Sequence, residues 1–153
     1  MPTFKPPINV LPHRPPFLLV DEVLECSETR VRATRTFRSD EYYFEGHFPG
    51  NPIVPGVLLV EAMAQTFAYL VMTQKGTQAV YLTGVDQARF RKPVRPGDKV
   101  EFCVDFMAQR MGLISAKGEA WVDGERVASA KLTGAKMTND KGESSPAMVK
   151  ANK

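Results

Sequence analysis

GHFPGNPIVPGVLLVEAMAQ, residues 46–65, joins two segments of opposite character. Gly46, Pro49, Gly50, Pro52, Pro55 and Gly56 make up six of its first eleven residues, a density that excludes regular structure. From Gly56 onward the chain turns to Leu, Val, Ala, Met and Gln, with no further Gly or Pro before Gly76. That composition predicts one helix from Gly56 to about Lys75, which would span roughly 30 Å. Apolar residues fall on nearly every side of it, so it should be surrounded by protein.

What surrounds it is read from the flanks. After Gly76 the pattern changes to period two. Ala79–Phe90 reads as one strand, and Lys99–Ala108 as another with Val100, Phe102, Val104 and Phe106 on one face. Leu113–Val122 alternates through Ile114, Ala116, Gly118 and Ala120, Asp123-Gly124 is a hairpin turn signal, and Glu125–Met137 is the last strand. RKPVRPGD, residues 91–98, supplies a Pro/Gly corner. Upstream, Phe17–Leu24 is a short apolar run, a strand or a short helix leading into one. Thr29–Phe37 alternates Val31, Ala33 and Phe37 against Arg30, Arg32 and Arg38. The expectation is an α+β fold in which a curved antiparallel sheet wraps one long central helix, its last three or four strands forming a meander. A single domain is expected over residues 1–138 and a disordered tail over 139–153, where Ser, Lys, Asn and Pro replace any periodicity.

Composition narrows the function classes. The chain has 153 residues, 43% hydrophobic and 24% charged, with 20 Lys and Arg against 17 Asp and Glu, a net charge of +3. That excess is too small to suggest nucleic-acid binding and is compatible with an acidic partner. Two cysteines, Cys26 and Cys103, make no disulfide framework and read as reduced thiols of a cytoplasmic protein. The N-terminus lacks a signal-peptide pattern, and Ile53–Met72, interrupted by Pro55, Gly56, Glu61 and Gln65, is a poor membrane span. Metal-ligand spacings and phosphate-loop motifs are absent from the sequence.

Two residues stand out chemically. Glu61 lies one and a half turns into the apolar helix, and a carboxylate buried there must be paired, hydrogen-bonded or neutral. It is either a helix-start glutamate reaching solvent or a carboxyl kept neutral by burial and usable as an acid. Gln65, at i+4, can hydrogen-bond to it. His47 sits in the Gly/Pro loop, as a surface residue or a functional one. Gly56 opens the helix with exposed N–H groups that can hold a carbonyl or enolate oxygen, or is only a tight junction. Taken together, a base, an oxyanion donor and an acid are what elimination beside a thioester needs. His13, between prolines, reads as a structural histidine bonded to backbone. Arg89, Arg91, Lys92 and Arg95 form an acid-free run, either a solvated turn or a docking patch; Arg30, Arg32, Arg35 and Arg38 form a second.

LPHRPPFLLVDEVLE (11–25), GHFPGNPIVPGVLLVEAMAQ (46–65) and GVDQARFRKPVRPGD (84–98) resemble, in order and spacing, the three signature blocks of β-hydroxyacyl-[acyl-carrier-protein] dehydratases of the FabZ type. The resemblance covers about residues 9–137. It implies the hotdog fold, in which an antiparallel sheet wraps a long central helix. It implies that His47 and Glu61 are the catalytic pair, contributed by different subunits of a homodimer, and that such dimers can assemble as trimers. It also implies substrate-binding roles for Gly56 and Val57 at the helix start, for Gln65 behind the glutamate, and for Tyr81 as the gate of an acyl tunnel. The partner implied is acyl carrier protein, docked on the basic run, with its phosphopantetheine carrying the substrate and no other cofactor. Two departures from the pattern, the aromatic Tyr42-Tyr43-Phe44 and the short Gly76–Ala79 segment, bear on tunnel shape. A hotdog thioesterase and a non-catalytic carrier-binding subunit are the alternatives.

Overall fold

A computed structural model describes residues 3–74 and 76–138. The predicted tail, 139–153, lies outside the described residues, as does Lys75. Helix α1, Gly56–Met72, packs on one face of a six-stranded antiparallel sheet. The strands are β1 (Glu22–Cys26), β2 (Arg30–Thr36), β3 (Thr77–Phe90), β4 (Lys99–Arg110), β5 (Leu113–Val122) and β6 (Glu125–Thr138), in the order β1-β2-β4-β5-β6-β3. The expected α+β hotdog architecture is the one observed.

Alternation builds the core. Val100, Phe102 and Val104 of β4 and Ala116 and Ala120 of β5 are fully buried beneath the helix. The small residues on β5 let α1 approach closely, for a Cβ placed on Gly118 would lie 3.0 Å from Met63 Sδ. Asp123 and Gly124 both have positive φ, 50° and 77°, as the two-residue hairpin turn between β5 and β6 requires. Met111 and Gly112, φ 52° and 82°, make the same turn between β4 and β5. The sequence signal there was weaker because methionine is not a turn residue.

Of the three or four strands expected in a meander, the structure has three. β4, β5 and β6 are a meander, but β3 does not precede them in space. It pairs antiparallel with β6 and forms the sheet edge. The helix ends at Met72, short of the expected Lys75, with the Thr73 N–H bonded to the carbonyls of Tyr69 and Leu70. The apolar run before β1 contributes Leu19 and Val20 to the core as extended chain, and the β1 ladder begins only at Glu22.

The helix is not covered on all sides. Val57, Glu61 and Ala64, spaced four and three residues apart on one stripe, remain accessible. From Gln65 to Val71 every residue of the helix is buried. The second acid-free arginine run is fully paired in space: Arg30 with Asp105, Arg32 with Glu25 and Glu101, Arg35 with Asp21 and Glu41, and Arg38 with Asp40. Arg35 and Glu41 are 7% and 6% exposed, so that pair is part of the core.

Candidate active site

His47 is placed by its loop. Phe48-Pro49-Gly50-Asn51 is a tight turn closed by Phe48 and Asn51, each donating its N–H to the other's carbonyl, 3.0 and 2.8 Å. Gly50, φ 72°, takes the left-handed position and Pro49 precedes it, the pattern of a type II turn. Beyond the turn the Ile53 N–H donates to the His47 carbonyl, 3.0 Å, and the Val54 N–H to Val94, 2.7 Å. Arg95 Nη1 donates to Asn51 Oδ1 at 2.8 Å, so this member of the basic run braces the loop.

This geometry assigns the His47 tautomer. Nδ1 lies 2.8 Å from the Ile53 carbonyl oxygen, which can only accept, so Nδ1 carries the proton. In the neutral ring Nε2 then keeps its lone pair, as a base requires. The imidazole stacks on Phe48 with ring centres 4.0 Å apart. His47, Gly56, Val57, Phe90, Arg91 and Lys92 line one cleft. Pro55 caps α1 without a side-chain bond, and the N–H groups of Gly56 and Val57 have no hydrogen-bond acceptor among the described residues. A Cβ on Gly56 would meet the Phe90 ring at 3.0–3.2 Å.

Glu61 is placed by Gln65. The Gln65 side chain is 1% exposed and all its polar capacity is engaged. Its Oε1 accepts from the Leu19 N–H at 2.8 Å, and its Nε2 donates to the Phe17 carbonyl at 2.8 Å and to Glu61 Oε2 at 3.0 Å. The two backbone partners fix which amide atom is which, so Glu61 Oε2 must be an acceptor. Glu61 Oε1 has no hydrogen-bond partner among the described residues. Glu61, Gln65, His13, Phe67, Leu82 and Gly134 line a second, small cavity.

The structure therefore groups the expected residues in two places. His47 lies with Gly56, Val57, Arg91 and Lys92; Glu61 lies with Gln65; the two cavities share no lining residue. Tyr81 is not brought to the second cavity. Val80 and Leu82 line it, so the alternation of β3 directs Tyr81 to the other face, where it is 37% exposed. Of the basic run, Lys92 pairs with Glu125 at 2.9 Å, while Arg89 and Arg91 form no ion pair among the described residues. His13, read from sequence as a histidine bonded to backbone, is instead turned toward Glu61. Its Nε2 is 3.8 Å from Glu61 Oε2, and its buried Nδ1 has no partner. Burial holds the His13 pKa below the ordinary histidine value, with Glu61 opposing. No group of three or more His, Cys, Asp or Glu side chains among the described residues could hold a metal ion.

A family model of the FabA-like domain matches residues 11–131. The 3-hydroxyacyl-[acyl-carrier-protein] dehydratase FabZ of Yersinia enterocolitica is 45% identical over 130 residues, covering 82% of this chain and 77% of that protein. The chain belongs to the FabZ-type 3-hydroxyacyl-[acyl-carrier-protein] dehydratase family. The FabZ of Yersinia pestis is equally similar, 45% identical over 130 residues and 74% of its length. Among solved structures, the dehydratase heterocomplex ApeI:P from Xenorhabdus doucetiae superposes with a TM-score of 0.79 at 18% identity, covering 98% of this chain and 99% of that one. The E. coli PaaI protein superposes at 0.61, also 18% identical, over 74% of this chain and 80% of that one. At such identities these structures speak for the fold alone, and it is the hotdog fold expected from the sequence. The dehydratase reading of the sequence is borne out by the FabZ relatives.

Proposed function

We propose that the chain works as a homodimer that removes water from a (3R)-3-hydroxyacyl thioester of acyl carrier protein, giving the trans-2-enoyl thioester, with His47 as base and Glu61 as acid. The observation that carries the roles is the hydrogen-bonding state of the two groups: a His47 ring held at Nδ1 with Nε2 left unbonded among the described residues, and a Glu61 carboxyl with Oε2 held as acceptor and Oε1 unheld. His47 Nε2 takes the proton α to the carbonyl. The C–H electron pair moves into the Cα–Cβ bond by way of an enolate, whose oxygen meets the N–H groups of Gly56 and Val57. The Cβ–O bond breaks, Glu61 Oε1 gives its proton to the departing hydroxyl, and water leaves. His47 ends protonated and Glu61 ionised, and proton exchange with solvent resets both.

Two features support the dimer. A single chain holds the base and the acid in separate cavities, and the cavity at Glu61 encloses only about 60 Å³. Small-molecule sites commonly need roughly 300 Å³ or more. The edge strand β3 is open over 14 residues and exposes Tyr81, Leu82, Val85 and Phe90, a surface suited to a second copy. Assembly of dimers into trimers belongs to the same reading. Arg89 and Arg91 are the docking cations we favour for the acidic carrier, beside Lys92 and Arg95, because the arginines of β2 are already paired. The chemistry needs no metal or other cofactor beyond the carrier's phosphopantetheine, and the setting proposed is the cytoplasm. Among the described residues no helix is long and apolar enough to cross a membrane.

The test is turnover of a 3-hydroxyacyl carrier-protein thioester, followed by enone absorbance and by free thiol. Enone without thiol release is expected, and thiol release would instead indicate a thioesterase. His47→Ala and Glu61→Gln should each lower kcat by about 10²–10⁴-fold; a wild-type rate in either variant would remove that residue from its role.

A further inference from the structure

His13 has no part in the scheme above, yet three observations tie it to Glu61. Its Nε2 approaches Glu61 Oε2 to 3.8 Å, the two side chains are 22% and 24% exposed, and both line the same cavity. Among the described residues, His13 and Glu61 are the only ionisable side chains lining that cavity, whose walls come from the N-terminal segment, α1, β3 and β6. The segment that carries His13 is clamped at two points. Gln65 grips Phe17 and Leu19, and Arg14 Nη1 donates to the carbonyls of Leu11 and of His13 itself, 3.0 and 2.7 Å.

The proton positions follow by elimination. At 3.8 Å no hydrogen bond is made, and because Glu61 Oε2 already accepts from Gln65, a neutral His13 ring can form one with it only when Nε2 carries the hydrogen. Nδ1 then keeps a lone pair, and the buried atom without a partner is an unused acceptor. His13 and Gln65 thus stand as two donors converging on one oxygen of Glu61, from two different parts of the chain. On the reading of Glu61 as the acid, its hydrogen sits on Oε1.

We propose that His13 is a positioning residue for Glu61: its Nε2–H closes on Oε2 when the site is occupied and, with Gln65, holds the carboxyl so that Oε1 faces the departing hydroxyl. The proposal rests on the reading of Glu61 as the acid. A contraction of less than 1 Å brings 3.8 Å into ordinary hydrogen-bond range. Catalytic hydrogen bonds that are long in the free protein commonly tighten in the complex. His13 itself touches no reacting atom in this scheme.

The experiment compares wild type, His13→Leu, His13→Gln, Glu61→Gln and the double variant His13→Leu/Glu61→Gln in steady-state turnover, with thermal melting of each. Leucine removes the donor, whereas glutamine keeps an N–H at a similar reach. The expected result is a fall in kcat of about 10–100-fold for His13→Leu with KM changed less than about twofold, and recovery of most of that loss in His13→Gln. In the Glu61→Gln background, His13→Leu should cost almost nothing further, since the group it positions is gone. A wild-type kcat in His13→Leu, or the same fold loss in both backgrounds, would overturn the proposal. If leucine prevents folding, equal kcat losses in a folded His13→Gln with and without Glu61 would overturn it as well. Failure of Glu61→Gln to lose activity would instead sink the reading of Glu61 on which this one stands.

Discussion

Gln65 Nε2 lies 3.0 Å from Glu61 Oε2, one helical turn behind it, while the same amide holds Phe17 and Leu19 of the N-terminal segment. One buried side chain therefore fixes the acid and fastens the strap that crosses it. Gln65→Leu leaves the Leu19 N–H and the Phe17 carbonyl without their partner. It should cost about 2–4 kcal/mol of stability, measured by urea unfolding, and lower kcat even at temperatures where the variant is folded. A variant that lost stability but kept full kcat would show that Gln65 serves only the strap.

Because base and acid sit in separate cavities of one chain, two inactive variants should complement one another. In a dimer of His47→Ala with Glu61→Gln, one site carries both lesions and the other carries neither. Random pairing makes half the dimers mixed, so the mixture should recover roughly a quarter of wild-type activity. Activity that stays at the level of the separate variants after chain exchange would place both residues of each site on the same chain.

Arg89→Glu and Arg91→Glu together should raise KM for the carrier-protein substrate by about tenfold with little change in kcat, and should flatten its salt dependence. The control is a substrate on free pantetheine, whose KM should stay within about twofold of wild type. An unchanged carrier KM would remove these arginines as docking cations.

Stability should fall with acidity partly through His13. Its folded pKa is depressed by burial, Glu61 acting against the shift, and Arg14 contacts only its backbone carbonyl. Below an unfolded value of 6.5 the unfolded chain binds the proton more readily, so the stability present above that pH is lost as pH falls through the lower folded value. Urea midpoints between about pH 7.5 and pH 5 should drop for wild type and drop less for His13→Gln. Parallel curves would show that other groups carry the acid dependence.

Much of this site was legible because it violates local rules. A glutamate inside an apolar helix, a glutamine one turn on and a histidine in a loop of Gly and Pro each ask for an explanation where they stand. Relations that cross the chain were not legible. His13 and Glu61 are 48 positions apart, and nothing near either names the other. The run from Arg30 to Arg38 looked acid-free because charge was counted along the strand. Two of its partners, Glu101 and Asp105, sit on β4, one strand over. The edge placement of β3 depended on where α1 delivers the chain, which period-two alternation cannot express.

The proton on His47 Nδ1 is held by the main-chain oxygen of Ile53. No side chain is responsible, so replacing residue 53 by another amino acid leaves the acceptor in place. An alanine scan would pass over the group that sets the base, and relatives could vary at 53 without chemical consequence. The route to disabling it runs through the shape of the turn, by changing Gly50 or removing the grip of Arg95 on Asn51. Variants at Gly50 or Asn51 would damage catalysis from residues that have no contact with the reacting atoms in this scheme.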